Sequence, residues 1–272
     1  CMLCRNLLAK GSDLAGFSPD LIEVDCTNPD KFIANTDADV WWSFDRLAAA
    51  NAAMRVGGKG EFEQLQRAIG FTYNPHGILA DMSLRGHLKP ATSFTYDWMD
   101  VFLSNGIANL ELHLLLKEAK SQHRVSFKQL EMFAAANWKY PAFMSPGHTL
   151  HKFFTEVRQK ASENAETFKA MASEMLMVYP LLRHFAYTIL ENLGGMELQL
   201  VSFYALGYAL DLLHAAKRGP INTVELQAAI SLHGDLNQRA YGTDNVKPKH
   251  HYAHHVPKQI ARDHLLLDTF VL

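Results

Sequence analysis

The sequence is poor in cysteine, in net charge and in long uncharged apolar runs. It has three cysteines in 272 residues and a formal net charge of −2 with histidine neutral. An odd and low cysteine count argues against a disulfide framework and indicates a reducing environment, nuclear or cytoplasmic. The near-neutral balance excludes the uniform positive field with which a basic protein attracts nucleic acid or an anionic membrane. A role on nucleic acid would therefore depend on local patches.

A membrane-spanning segment and a secretion signal are also missing from the pattern. The most apolar long stretch, Met196–Ala216, contains Glu197, Gln199 and Asp211, whereas a spanning helix needs roughly 20 residues nearly free of charge. The first residues show no signal-peptide pattern. We therefore expect a soluble protein. Because the chain begins with Cys1 and ends on an apolar run, we also expect a fragment of a longer functional unit.

The composition that is present is that of an ordinary globular protein, with 48% hydrophobic and 20% charged residues. Helical periodicity dominates, so the predicted fold class is mainly α: a helical array with a small N-terminal α+β segment. We divide the chain into an irregular segment with a CxxC motif (1–40), a small α+β segment (41–105), a helical domain (106–240) and a His-rich basic segment with a terminal apolar run (241–272).

The pattern predicts individual elements within these segments. Short β-prone runs predict strands at Phe71–Tyr73, Ile78–Leu84 and Phe94–Tyr96. The apolar spacing predicts these helices: Trp41–Arg55, Glu61–Ile69, Ile107–Ala119, Phe127–Asn137, Leu150–Lys160, Asn164–Glu191 with a kink or break at Pro180, Met196–Lys217 and Thr223–Arg239. The prolines that bracket the stretch 248–257 favour a strand or loop there.

Cys1 and Cys4 have the spacing of half a zinc site, in which a short turn presents two thiolates to one tetrahedral ion. Cys26 is a candidate third ligand, with His76 or an upstream residue as the fourth. The alternative is that these cysteines bind no metal and are simply buried.

A histidine cluster lies near the end of the chain. His250, His251, His254 and His255 would form two i,i+4 pairs on a helix, which is a spacing that suits a metal. Packing of some of these rings in the core, with others in water, is the alternative. A third interpretation is electrostatic, because four cations surround the cluster and could contact DNA phosphates: Lys247, Lys249, Lys258 and Arg262.

Asp97 and Asp100 follow the predicted strand Phe94–Tyr96 and precede a helical pattern. Carboxylates at such a position suit Mg²⁺ or Mn²⁺, which prefer oxygen ligands. Two such ions can activate the attacking oxygen and stabilise the leaving oxygen in phosphodiester chemistry. The alternative is that one of the two acids caps the following turn.

Two windows of the chain resemble a known family. The run Tyr96-Asp97-Trp98-Met99-Asp100-Val101-Phe102, followed by Gly106, is similar to the D-x-M-H-x-x-x-x-G region of CACTA-class (En/Spm-like) DDE transposases. The run from Lys247 to Pro257 is similar to the family's K-P-K-x-H-x-x-x-H-x-P segment. The resemblance implies an RNase-H-like core, here incomplete, which is interrupted by a long helical insertion. It also implies that Asp97 is the second catalytic, metal-binding acid and that His251 and His255 match the two family histidines.

The chain departs from that family at important positions. Asp100 stands where the family usually has His, and neither the first acid nor the final Glu has a convincing candidate. We therefore predict a fragment of a transposase-derived DDE protein that would rejoin DNA with two Mg²⁺ or Mn²⁺ ions if complete, but is inactive alone. The alternative from another class is a non-catalytic helical module that binds a partner peptide or a second copy. A zinc hydrolase built on the histidines is least favoured, since no general base accompanies them.

Overall fold

The structure is a computed structural model that describes residues 1–4, 6–7, 22–23, 29–54, 58–70, 72–138, 153–264 and 266. It divides into two compact units, Cys1–Thr95 and Tyr96–Leu272. The described part of the first unit contains two-residue parallel strands and three α-helices: β1 Asn6–Leu7, β2 Ile22–Glu23, α1 Asp37–Ala52, α2 Lys59–Ile69 and α3 Pro90–Ser93. Cys26 and the end of the terminal apolar run lie outside the described residues.

The first unit is organised by α1. Thr36 begins this helix with a capping box: its hydroxyl accepts the Asp39 N–H, and the Asp39 carboxylate accepts the Thr36 N–H. Asp37 reaches a distant segment and accepts the N–H groups of Ala91 and Thr92 in α3. Asp39 therefore stabilises the start of α1, and Asp37 joins α1 to α3.

The core of this unit is small. Leu47 of α1 packs with Leu65 and Ile69 of α2, and the rings of Phe44 and Tyr73 lie 5.2 Å apart at its edge. Tyr73 is also held by its backbone N–H, which donates to the Gln66 side chain. Helices α1 and α2 confirm the two helices that the apolar spacing predicts in this region, although their ends differ by a few residues.

The described part of the second unit is almost entirely helical. Its elements are α4 Trp98–Phe102, α5 Ile107–His123, α6 Phe127–Asn137, α7 Glu156–Ala165, α8 Ala172–Phe185, a π-helical turn Ala186–Leu190, α9 Glu191–Leu193, α10 Glu197–Ala216, α11 Thr223–Tyr241, α12 Pro248–Ala253 and α13 Val256–Asp263. The mainly α fold class is therefore confirmed. No helix in the described ranges combines the length and apolarity that crossing a membrane requires.

The core of the second unit forms around the pair α10 and α11, and α5 and α8 pack against α10. Its largest fully buried side chains are Trp98, Phe102, Phe154, Phe168 and Phe203. Fully burying one such aromatic stabilises the fold by roughly 2–3 kcal/mol. Asn109 adds a polar contact inside this core, because its side chain donates to the carbonyls of Phe168 and Ala170.

The connection between α4 and α5 requires glycine. A Cβ atom on Gly106 would lie 2.4 Å from the carbonyl carbon of Phe102 and 2.5 Å from the carbonyl oxygen of Val101. Real side chains do not approach a backbone so closely. The glycine that ends the first family-like window therefore has a structural reason in this chain.

Four predictions of local structure are wrong. Phe94–Tyr96 is irregular rather than a strand, and Ile78–Ala80 is a short 3₁₀ turn. The helix predicted to begin at Asn164 instead begins at Ala172 as α8, because α7 ends at Ala165, where Glu166 adopts a left-handed conformation with φ of 49°. The stretch predicted as a strand or loop forms α12 and α13, since Pro248 and Pro257 occupy the first turns of these helices, where proline is tolerated.

Candidate metal centre

The first pair of candidate ligands consists of Cys1 and Cys4. Neither is in a disulfide, and both are buried, with exposed fractions of 9% and 1%. Asn35 organises the backbone around them: its side chain donates to the carbonyls of Cys1 and Met2, and its N–H donates to the Leu3 carbonyl. Three successive carbonyl groups of the CxxC turn thus accept hydrogen bonds from one residue, Asn35.

The second pair is His251 and His255. His251 lies in α12, and His255 precedes α13, one helical turn later. Both rings are buried, and their Nε2 atoms lie 3.2 Å apart. Burial lowers the pKa of His251 to about 2 and the pKa of His255 to about 3. Both imidazoles are therefore neutral at ordinary pH, which is the form that binds metals.

These pairs together form one cluster. Cys1, Cys4, His251 and His255 each offer one ligand atom, and the ligand atoms all lie within 4.8 Å of one another. In a tetrahedral zinc site with Zn–N distances near 2.0–2.1 Å, two nitrogen ligands are separated by about 3.3 Å. The observed 3.2 Å between the two Nε2 atoms matches that edge. The cluster could therefore hold a metal such as zinc.

The other candidate zinc ligands do not join this cluster. His76 is exposed in the turn after Asn74, whose side chain accepts the His76 N–H. Cys26 lies outside the described residues. The sequence identified both pairs of the cluster but gave no signal that they belong together.

The remaining two histidines of the run have other contacts. Nδ1 of His250 accepts the Lys247 N–H at 3.1 Å, which caps α12, and its ring stacks at 6.2 Å on that of His233. Nδ1 of His254 lies 2.9 Å from the Gln227 side-chain nitrogen. Of the two i,i+4 pairs that the spacing allows, only His251 and His255 contribute to the cluster.

Asp97 and Asp100 occupy the start of α4. Asp97 is the N-cap residue: its carboxylate accepts the N–H groups of Met99 at 2.7 Å and Asp100 at 3.3 Å. Asp100 forms an ion pair of 3.1 Å with Lys249. Within the described ranges, neither acid belongs to a group of three or more metal-ligating side chains. The geometry therefore lends no support to a Mg²⁺ or Mn²⁺ site here, and the catalytic role of Asp97 stays a prediction.

The four cations predicted to contact DNA differ in their surroundings. Nζ of Lys249 donates to the carbonyls of Asp100 and Ser104 and to the Asp100 carboxylate, so this lysine holds α12 against α4. Arg262 binds the neighbouring carboxylate of Asp263 through two nitrogens. Lys247 and Lys258 are exposed. Arg262 is exposed as well, whereas Lys249 is only partly exposed.

Comparisons of the chain with protein-family models, with curated proteins and with solved structures found no match.

Proposed function

We propose that Cys1, Cys4, His251 and His255 bind one Zn²⁺ ion with a structural role. The observation that carries the proposal is the convergence of four ligand atoms of the correct chemistry within 4.8 Å. Thiolate sulfur and imidazole nitrogen are the ligands that zinc prefers, and four protein ligands leave no open position for water or substrate. A closed and buried site of this kind contributes to folding rather than to catalysis.

The zinc content of the purified protein tests this proposal. After extensive dialysis we expect one zinc per chain, and replacement by Co²⁺ should produce the visible absorption of a tetrahedral site with thiolate ligands. Cys4→Ser or His255→Ala should weaken zinc binding on the order of 100-fold. Chelation should lower the melting temperature, and added zinc should restore it.

Matched variants identify the ligands. His76→Ala and Cys26→Ser remove residues of the same types at positions that the spacing also suggests, and we expect both to retain the zinc. Substoichiometric zinc in the wild-type protein would contradict the proposal. Equal loss of zinc from the His76→Ala and His255→Ala variants would show that a different set of residues binds the ion.

We further propose that the chain is part of a transposase-derived DNA-processing protein of the CACTA-like DDE type. What supports this is that the two windows that resemble the family contact each other. The rings of Tyr96 and Tyr252 stack at 4.5 Å. Gln259, two residues beyond the second window, accepts the Tyr96 N–H and donates to the Tyr96 carbonyl. Lys249 adds its bonds to Asp100 and Ser104.

The DNA proposal is tested separately from the zinc proposal. Zinc-loaded protein should bind duplex DNA with an affinity that falls steeply with salt, and Lys258→Gln should weaken binding. With Mg²⁺ or Mn²⁺ we expect no cleavage by this chain, because the described residues gather no further carboxylate with Asp97 and Asp100. Cleavage that Asp97→Ala abolishes would overturn the prediction of inactivity, and absence of salt-dependent DNA binding would contradict the DNA role.

A further inference from the structure

A cavity of about 470 Å³ in the second unit is lined by four lysines. They are Lys117 of α5, Lys169 before α8, and Lys247 and Lys249 at the start of α12. The single acid in the lining is Glu166. The wall therefore carries a formal charge of +3, from four lysines and one glutamate, in a protein whose net charge is −2.

Three of these ammonium groups are not neutralised by carboxylates. In the part of the chain that the structure describes, no acidic side chain forms an ion pair with Lys117, Lys169 or Lys247. Lys249 differs, since its Nζ donates to Asp100 and Ser104. Like charges that face one concavity repel one another, and an anion bound between them removes that repulsion.

A buried donor in the same wall points to the same ligand chemistry. His250 lines the cavity and is only 4% exposed, and its Nε2 atom has no hydrogen-bond partner. Nδ1 lies 3.1 Å from the Lys247 nitrogen and 3.3 Å from the Lys247 carbonyl oxygen. When Nδ1 accepts the shorter contact, the proton of the neutral ring is on Nε2. A buried N–H donor without an acceptor is costly, and an oxyanion would supply the acceptor.

The first turn of α5 adds backbone donors. Gly106 and Ile107, which begin this 17-residue helix, line the cavity. The first turn of a helix has N–H groups without intrahelical partners, and its dipole favours negative charge. Helix starts of this kind bind phosphate in many proteins, and lysine ammonium groups are common additional ligands.

We infer that this cavity, lined by Lys117, Lys169, Lys247, His250 and the start of α5, is a binding site for a phosphate group. The inference does not rest on the zinc proposal, because none of these residues is one of the four proposed ligands. Two sources share this chemistry: a free phosphate compound, such as inorganic phosphate or a nucleotide, and the phosphodiester backbone of DNA.

The test compares the zinc-loaded wild-type protein with two double variants. Lys117→Gln with Lys247→Gln removes two charges from the cavity. Lys128→Gln with Lys160→Gln removes two exposed charges elsewhere, and it serves as the matched control. Binding of inorganic phosphate is measured by calorimetry at low ionic strength, and binding of a short duplex DNA is measured in parallel. Zinc content and melting temperature are recorded for every sample, so loss of the metal site is seen separately.

We expect saturable phosphate binding that weakens about tenfold or more in the cavity variant and less than twofold in the control. If duplex DNA binding weakens in the same variant, the phosphate belongs to the DNA backbone. If only inorganic phosphate binding weakens, the ligand is a free phosphate compound. Absence of saturable phosphate binding by the wild-type protein, or equal weakening in the two double variants, would overturn the inference whatever the DNA result.

Discussion

The Nε2 atom of His233 lies 2.5 Å from Oε2 of Glu111, and both side chains are almost completely buried. The other carboxylate oxygen of Glu111 accepts a hydrogen bond from Oγ of Ser202 at 2.6 Å. These residues belong to α11, α5 and α10, so one carboxylate joins the three helices through polar contacts. A buried acid needs such partners, because burying it alone would cost several kcal/mol.

Replacing Glu111 with alanine should therefore be strongly destabilising. It leaves His233 and Ser202 without their acceptor and opens a cavity, which should lower the free energy of unfolding by about 3–5 kcal/mol. Glu111→Gln retains one acceptor oxygen and should cost less. Glu118→Ala, on the same helix but only partly buried, is the control. Urea unfolding in which Glu111→Ala and Glu118→Ala cost the same would contradict a stabilising role for these contacts.

Asp97 has a structural role that can be separated from a catalytic one. As the N-cap of α4 it satisfies two backbone N–H groups, so Asp97→Ala should lower the free energy of unfolding by about 1 kcal/mol. Asp97→Asn retains the capping oxygen and should cost only a few tenths of that. If instead both variants abolished a stabilisation by Mg²⁺ that the wild-type protein shows, Asp97 would be a metal ligand.

Lys249 should matter for stability far more than the neighbouring exposed lysines. Its Nζ makes three hydrogen bonds to Asp100 and Ser104, and Lys249→Gln would leave those acceptors without their charged partner. We expect a loss of about 1–3 kcal/mol in the free energy of unfolding. Lys258→Gln, at an exposed position on α13, should change it by less than about 0.5 kcal/mol. Similar losses in the two variants would contradict this assignment.

The sequence predicted the long helices well because their signal is local. Phe127–Asn137 is found with the predicted bounds, and Thr223–Tyr241 differs only at its end. Periodicity of apolar residues records which face of a helix is buried, and that is decided within a few turns. The mainly α class follows from the sum of such segments.

Contacts between distant residues could not be predicted in the same way. Both halves of the metal cluster have recognisable spacings, but about 250 residues separate Cys1 from His251, and no local pattern encodes their meeting. The error at Phe94–Tyr96 is of the same kind. The Gln259 side chain satisfies the backbone of Tyr96 as a neighbouring strand would, so a β-prone run has its hydrogen bonds without a sheet.

The last prediction concerns pH and His113. This residue of α5 is 8% exposed, and its pKa is lowered chiefly by burial and further by the charge of Lys117, while the carboxylates of Glu166 and Glu163 act in the opposite direction. When the pKa in the folded state lies below that in the unfolded state, the unfolded chain binds more protons as the pH falls. His113 should therefore destabilise the fold progressively as the pH falls below about 6.5, its ordinary value.

Replacing His113 with glutamine removes this titration while retaining a side chain of similar size. The free energy of unfolding should fall between about pH 7 and pH 5 in both proteins, but by less in the variant, with a difference of at most about 2 kcal/mol for one proton. His76→Gln, which replaces a histidine at an exposed position, is the control. Urea unfolding of zinc-loaded protein measures both slopes, and a steeper loss of stability in His113→Gln than in the wild type would show that the sign of the effect is wrong.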